Sequence, residues 1–191
     1  MSKQLLGISA ICVGVGQSGT TSMVARVAIV NYTGHTVFDT FVQPTMPVTD
    51  YRTASTGIEP AHLTGKQSMP FATVQQHVAN YIKGNVLVGH CIWNDLSVLG
   101  IPHPAVDTRD VALYQPFRNT VRTAPTAFAG LQTLLWQLMR RRCQEGCLNP
   151  VENSRAAMDL YRTHAGGWED AVSKGNWPCQ LPPSSFSRCY L

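Results

Sequence analysis

The sequence predicts one α/β domain built on a mixed β-sheet. Strand-like segments come first along the chain, and segments with helical spacing then alternate with short apolar strands. With 191 residues, 44% of them apolar, the chain is long enough to bury one substantial core. Charged residues make up only 14%, which is too few for a disordered chain. No apolar run has the length of a membrane span, and no secretory signal is recognisable, so we expect no membrane association.

Three strands are predicted near the start of the chain. Residues 5–15 form a continuous apolar run, which is typical of a strand covered on both faces. Residues 24–31 predict a second strand and residues 36–42 a third, with Gly34 at the turn between them. Together they predict an antiparallel meander. Residues 43–63 are polar and contain three prolines without a sustained period, so we expect a long surface loop there.

Helices and short strands alternate in the middle of the sequence. Apolar residues at helical spacing predict a helix over residues 70–83, which Gly84 ends. Residues 85–90 predict a short buried strand, and residues 93–100 a helix closed by a glycine. Residues 105–108 are a candidate fifth strand.

The last third of the chain predicts two more helices and a tail. Residues 128–138 have helical spacing and lead into three arginines at 140–142, whose charges suit a helix C-terminus. In the stretch "NPVE", Asn149 can cap a helix and Glu152 stands where a capping-box acid would, so a helix is expected from there to about residue 164. We expect a domain over residues 1–165 and a Gly/Pro/Ser-rich tail over 166–191 that packs on the domain or on a partner.

The six cysteines do not form a dense disulfide framework. Cys12 and Cys91 lie in apolar, strand-like settings and are most simply reduced core residues. Cys143 and Cys147 are four residues apart and could share a helix face, where zinc binding is a weak alternative to free thiols. The further zinc ligands in that alternative are Cys179, Cys189 or His164.

Several stretches together resemble one enzyme family. They read "ARVAIVNYTG", "FVQPTMPVTDYRTASTGI", "VLVGHCIWNDLSVL", "LYQPFR" and "SRAAMDLYR". Across about residues 5–165 the chain resembles the eukaryotic DEDDh 3′–5′ exonucleases, in the branch with the RNA exonucleases that trim ribosomal RNA and the interferon-stimulated exonuclease. The resemblance implies a DnaQ-like, RNase H-like fold with a mixed five-stranded sheet flanked by helices. It also implies an intracellular, nuclear location.

The family's chemistry is two-metal hydrolysis with Mg²⁺ or Mn²⁺, and its motifs supply four carboxylates and a general-base histidine. The family's first motif, Asp-x-Glu, corresponds to Ser9 and Ile11 when the glycines after it are matched. The second motif is present and includes Asp95. The histidine and aspartate of the third motif correspond to Leu148 and Asn153. The resemblance therefore implies that one of five catalytic positions is unchanged.

These differences predict a catalytically inactive exonuclease-like domain with no metal cofactor. One carboxylate does not balance two divalent cations, and a leucine cannot take a proton from water. Glu152 neighbours Asn153, but one residue along a helix turns a side chain by about 100°, so we expect Glu152 to point elsewhere. The alternative is a Mg²⁺- or Mn²⁺-dependent 3′–5′ exoribonuclease with altered ligands, acting in RNA processing.

Other side chains are candidates for a retained cleft or nucleic-acid surface. By position in the family these are Tyr51, Arg52, His90, Asn94 and Arg118. Structural roles are the competing interpretation, such as local hydrogen bonds for the first two and a backbone bond for His90. Trp93 and Trp136 fit helical packing patterns, whereas the tail tryptophans at 168 and 177 are candidates for docking on the domain or on a partner.

The partner predicted from the sequence is a protein, with RNA as the second candidate. The net charge of +4 is modest, and missing cations would leave phosphate unneutralised near Asp95. RNA binding through the remaining basic positions would depend steeply on salt. The oligomeric state stays open.

Overall fold

The computed structural model describes residues 3–122, 124 and 126–191, and it shows a mixed β-sheet flanked by helices. The strands are β1 Leu5–Val15, β2 Thr21–Asn31, β3 Thr36–Gln43, β4 Val48–Asp50, β5 Ser68–Pro70, β6 Val86–Gly89 and β7 Thr108–Asp110. The helices are α1 Thr53–Thr56, α2 Pro60–Leu63, α3 Phe71–Ile82, α4 Ile92–Leu99, α5 Gln115–Thr120, α6 Leu131–Met139 and α7 Pro150–Ser173. Short 3₁₀ helices cover Gln17–Gly19, Ala105–Asp107 and Ser184–Cys189. The α/β class predicted from the sequence is confirmed.

The long first strand lies near the middle of the sheet. The strand order is β5-β3-β2-β1-β6-β7, and β4 pairs with the end of β1. β1 runs antiparallel to β2 over most of its length and parallel to β6 at its start. A bulge between Ile11 and Cys12 interrupts the ladder with β2, at the level of the family's first motif.

The sheet has seven strands rather than the expected five. The two additional strands, β4 and β5, have three residues each. The expected surface loop over 43–63 contains β4 and the one-turn helices α1 and α2, because its polar residues hydrogen-bond locally, as Thr56 does to the Tyr51 carbonyl. The candidate strand at 105–108 is a 3₁₀ turn followed by β7, so that prediction was about three residues early.

Two hydrophobic clusters cover opposite faces of the sheet. Leu87 belongs to the cluster that packs against α3 and α4, whereas its neighbour Val88 belongs to the cluster that packs against α6 and α7. Adjacent strand residues point to opposite faces, so the two clusters lie on the two sides of the sheet. A smaller cluster around Ile11, Ile58 and Leu63 joins β1 to the short helices.

The last helix is longer than predicted. α7 continues to Ser173 through Gly166 and Gly167, instead of ending near residue 164. Two glycines weaken a helix by roughly 1 kcal/mol each relative to alanine, but tertiary packing overrides that preference. Here Trp168 is fully buried and its ring stacks on Tyr114 with centroids 3.9 Å apart.

The residues after α7 pack back on the domain. The Pro178 carbonyl accepts a hydrogen bond from the Gln115 amide, and the Cys189 carbonyl accepts one from the His103 amide. The 3₁₀ helix Ser184–Cys189 lies against α4. Within the described part of the chain, no helix combines the length and apolarity that crossing a membrane requires.

Candidate functional site

An open cleft of about 850 Å³ lies between the middle of β1, α4 and the start of α7. The structure brings all five family catalytic positions to this cleft, and three of the five other candidates. The lining residues from these sets are Ser9, Ile11, Asp95, Leu148, Asn153, Arg52, His90 and Asn94. Positions separated by up to 144 residues in sequence thus share one surface.

Asp95 is the carboxylate that the cleft retains. It lies in the first turn of α4, is 9% exposed, and accepts a hydrogen bond of 3.2 Å from the Ala10 amide of β1. Burial raises the pKa of Asp95 well above its ordinary value, although the amide of Ala10 opposes that rise. Burial therefore disfavours the charged form of this carboxyl.

His90 and Asn94 lie on the same wall as Asp95. His90 Nε2 donates a hydrogen bond of 2.7 Å to the Ala129 carbonyl, which ties the loop before α6 to the start of α4. The backbone bond considered for His90 from the sequence is present in the structure. Asn94 lines the cleft one residue before Asp95.

The opposite wall, formed by β1 and the region before and within α7, is neutral. Ile11 is 3% exposed and packs with Ile58 and Leu63, and Leu148 packs against the same cluster. The Asn153 amide nitrogen lies 3.5 Å from Ser9 Oγ, at the outer limit of a hydrogen bond. The Asn153 side-chain oxygen accepts a hydrogen bond of 2.7 Å from the Gln144 side chain.

This donor set does not fit two divalent cations. Mg²⁺ and Mn²⁺ prefer carboxylate oxygens, and only Asp95 among the family catalytic positions carries one. The Asn153 oxygen is already bonded, and an isoleucine has no lone pair. Among the residues that the structure describes, no three His, Cys, Asp or Glu side chains are grouped so as to hold a metal ion.

Neighbouring acids do not replace the missing ones. Glu152 is not among the residues that line the cleft, and its carboxylate accepts a hydrogen bond from the Gln144 amide. This bond takes the place of the expected capping box, whereas the predicted cap is confirmed, because the Asn149 side chain accepts from the Val151 and Glu152 amides. Asp110 is buried and accepts hydrogen bonds from three backbone amides, those of Cys91 and Ile92 at the start of α4 and that of Ala112 just after β7.

Arg52 supplies a cationic side chain to the cleft. Its backbone is in the left-handed region with φ 51°, and the Asp50 side chain accepts a hydrogen bond from its amide. The guanidinium donates to the Gly19 carbonyl and to Ser22 Oγ, which holds it at the cleft edge. Tyr51 packs on the Ile11 cluster and is not among the cleft residues, so it helps to hold the loop.

Arg118 does not belong to the cleft, and its assignment as a phosphate-binding candidate is wrong. The side chain is 4% exposed. Its guanidinium donates to the backbone carbonyls of Ala124 and Ala127 and lies over the Phe128 ring. A buried guanidinium that binds carbonyls in this way holds the loop before α6 in place.

The cysteines suggested for zinc are not gathered into a site. Residues 140–149 form a loop, so Cys143 and Cys147 do not share a helix face as expected. Cys143 is buried in the cluster beneath α6 and α7, whereas exposed Cys147 lies against Gly57. Burial raises the pKa of Cys143, which favours a neutral thiol.

Sequence reasoning missed several cleft residues, Gln144 and Phe186 among them, and misjudged one tryptophan. Gln144 and Phe186 line the cleft, but no local pattern in the sequence identifies either of them. Trp93 is buried as predicted, but Trp136 is 47% exposed. The leucines at 131, 134 and 135 define the buried face of α6, and the phase of that pattern places Trp136 outside it.

Comparison with known proteins agrees with this arrangement. Residues 10–140 match the family model described as "Exonuclease". The chain belongs to this exonuclease family. The matched segment includes most of β1 and all of α4, but α7 lies beyond it.

Relatives similar in sequence include proteins named RNA exonuclease 4. The chain is 42% identical over 171 residues to RNA exonuclease 4 of Mycosarcoma maydis, which covers 90% of the chain and 45% of the relative. It is 41% identical over 182 residues to RNA exonuclease 4 of Homo sapiens, and this match covers 95% of the chain and 42% of the relative. The chain thus spans less than half the length of these relatives.

Solved structures show the same fold. The Saccharomyces cerevisiae Pan2 pseudoubiquitin hydrolase–RNA exonuclease module, in complex with AAUUAA RNA, matches with a TM-score of 0.75 and 24% identity. This match covers 91% of the chain and 30% of the Pan2 module. The Neurospora crassa Pan2 catalytic unit matches with a TM-score of 0.71 and 18% identity, covering 90% and 29%. These likenesses support the RNase H-like exonuclease fold.

Proposed function

We propose that this chain is a non-hydrolysing exonuclease-like module that binds single-stranded RNA in its cleft. The observation that carries the proposal is the cleft itself, which is open at about 850 Å³ although its family catalytic positions carry one carboxylate. A cleft without its metal-binding charges keeps the shape for a nucleic-acid strand but lacks the means to activate water. We propose that no metal cofactor is needed for binding.

The electrostatics of the cleft support RNA over the protein partner favoured from the sequence. Burial raises the pKa of Asp95 and disfavours its charged form, which reduces the repulsion of a phosphate, one of the two objections to RNA. Arg52 offers a guanidinium at the cleft edge, where it can form charge-assisted hydrogen bonds to phosphate oxygens. The relatives' name and the RNA in the Pan2 complex agree with this ligand class.

Fluorescence anisotropy with a labelled 12-nucleotide RNA tests the proposal. In chelator we expect binding whose association constant falls with salt, its logarithm decreasing linearly with the logarithm of the salt concentration, as phosphate contacts require. Arg52→Ala should weaken binding about 10-fold, which is the value of one charge-assisted hydrogen bond. Arg155→Ala is the matched control, because this exposed arginine donates to the Gly34 carbonyl on a distant hairpin.

The same samples separate the competing functions. Incubation with Mg²⁺ or Mn²⁺ should leave the RNA intact over hours. Trimming that disappears in Asp95→Ala would contradict the proposal and favour the metal-dependent exoribonuclease. Absence of RNA binding at low salt would also contradict it and would favour the protein partner. A nuclear location is a further expectation from the family resemblance.

A further inference from the structure

A second surface with nucleic-acid chemistry lies outside the cleft, around Trp136 on α6. The indole is 47% exposed, and two guanidinium groups flank it. The Arg140 and Arg142 guanidinium carbons lie 5.9 and 5.7 Å from the ring centroid, which is cation–π distance. An exposed aromatic ring can stack a base in place of a flexible guanidinium that lies over it, and the displaced cation can then contact a phosphate.

The charges of this surface remain available to a ligand. Arg140 forms no ion pair with any residue that the structure describes. Arg142 pairs with Glu145 at 3.2 Å, but both side chains are largely exposed, so the pair is weak. Arg141 is directed toward Asp159, and the side chains of Arg140, Arg141 and Arg142 are all exposed. The surface therefore has more positive than negative charge.

The Trp136 surface is connected to the cleft through the loop between α6 and α7. Gln132 lies one helical turn before Trp136 and donates hydrogen bonds to the carbonyls of Cys143 and Gln144. Gln144 in turn lines the cleft with its side chain. The two side chains of α6 and the same loop also border a shallow depression of about 240 Å³. The loop that carries Gln144 therefore borders both the cleft and the Trp136 surface.

We propose that Trp136, Arg140 and Arg142 form a second contact site for single-stranded RNA. A base stacks on the indole in place of the guanidinium groups that lie over it, and these two groups then contact adjacent phosphates. The site rests on the proposed RNA-binding function and extends it to longer strands. It is independent of sequence readout, because every base has a face that can stack.

Trp177 shows why an exposed tryptophan beside an arginine is not sufficient. It is 40% exposed and lies 6.0 Å from the Arg109 guanidinium carbon. Arg109 is 4% exposed along its side chain and is bonded in bidentate fashion to Glu169. Its charge is therefore neutralised and inaccessible to phosphate, so Trp177→Ala serves as the matched control for Trp136→Ala.

Anisotropy with a 4-nucleotide and a 16-nucleotide RNA tests the inference. Trp136→Ala should weaken binding of the long RNA by at least about 5-fold, the lower bound for one stacked base, and should leave binding of the short RNA unchanged. Trp136→Phe should retain most of the affinity. The double variant Arg140→Ala/Arg142→Ala should reduce the salt slope for the long RNA by about 1.4, as expected for two lost phosphate contacts.

The outcomes separate this site from the cleft. If Arg52→Ala weakens both RNAs while Trp136→Ala binds the long RNA within twofold of the parent, the second site is wrong and the cleft function stands. Equal losses in Trp136→Ala and Trp177→Ala would also overturn it. If the parent binds neither RNA in chelator at low salt, both the cleft function and the second site are wrong. Thermal melts establish that each surface variant is folded.

Discussion

The two walls of the cleft differ in what their side chains bond to. On the α4 wall, His90 and Asp95 are polar and each is tied to backbone, to the Ala129 carbonyl and the Ala10 amide. On the opposite wall, Ile11 and Leu148 are apolar and pack into a hydrophobic cluster. One wall thus holds polar groups that stabilise the fold, and the other excludes charge.

This difference teaches that a cleft with a neutral wall can be held open by apolar packing on one side and by hydrogen bonds to backbone on the other. The α4 wall depends on hydrogen bonds to buried backbone groups. Removing one partner leaves the other unpaired, which costs about 1–3 kcal/mol of stability. The opposite wall depends on apolar contacts, which tolerate neither a carboxylate nor an imidazolium without compensation. Placing charged groups on the apolar wall, or removing hydrogen-bonding groups from the α4 wall, should therefore lower the free energy of unfolding more than changing a side chain that makes no strong contact in either wall.

The largest expected effect comes from making the neutral wall resemble the family motifs. The variant Ser9→Asp, Ile11→Glu, Leu148→His, Asn153→Asp should lose about 4 kcal/mol in free energy of unfolding in chelator, because it places like charges together beside a buried cluster. Mg²⁺ or Mn²⁺ should restore part of this loss, about 2.7 kcal/mol at 100 times the dissociation constant, by binding only the folded state. Urea denaturation with and without metal measures both.

Ile11→Glu alone is the control for that experiment. It should be destabilised without metal recovery, because one added carboxylate does not complete the set. If metal fails to stabilise the fourfold variant, the alignment of Ser9, Ile11, Leu148 and Asn153 with the family motifs is wrong, or the cleft cannot accommodate the ions.

The next largest effect should come from Asp110, whose buried carboxylate binds backbone amides at the start of α4. Asp110→Ala leaves the buried amides of Cys91, Ile92 and Ala112 without their acceptor and should cost about 3 kcal/mol. Chemical denaturation measures the loss. Asp107→Ala, which removes a pair with the half-exposed Lys3, should cost less than about 1 kcal/mol. Similar losses in the two variants would mean that Asp110 does not anchor this wall.

A smaller effect of opposite sign is expected at Asp95. Because its folded-state pKa is raised, Asp95 contributes stability below its unfolded pKa, and this is lost as pH rises through the folded pKa. Asp95→Asn should therefore be more stable than the parent at pH 8, with the gain vanishing near pH 4, the ordinary pKa of an aspartate. The Asn oxygen can still accept from the Ala10 amide.

Melting temperatures of parent and Asp95→Asn across this pH range test the sign. Asp110 is also buried with a raised pKa and its charge acts on Asp95, so the pH dependence of the parent contains contributions from both carboxyls. If Asp95→Asn is less stable than the parent at pH 8, the claim that the buried, charged Asp95 side chain lowers the stability of the fold is wrong.

The smallest effect is expected at Ser9 on the neutral wall. Its contact with Asn153 is 3.5 Å long, while Asn153 keeps its shorter bond to Gln144. Ser9→Ala should therefore change the free energy of unfolding by no more than about 0.5 kcal/mol. Denaturation curves measure this, and a loss above about 1 kcal/mol would show that the two walls are more alike in hydrogen bonding than the structure indicates.

Much of the secondary structure could be predicted because it follows local patterns. The apolar run of β1, the helical spacing of α3 and the cap at Asn149 all lie in short stretches of sequence. The family resemblance placed the cleft positions on β1, α4 and α7, and the structure brings them together. The end of α7 could not be predicted, because Trp168 stabilises it by stacking on a residue 54 positions away.

The sequence by itself determined the α/β class, the main strands and the residue types at the cleft positions, because periodicity reports which face of a local element is buried. Only the tertiary structure decided which polar and aromatic side chains are available to a ligand. The buried Arg118 guanidinium donates its hydrogen bonds to carbonyls of the following loop, whereas Trp136 is exposed with two arginines beside its ring. Their availability depends on which segments pack around each side chain, and local spacing carries no information about that.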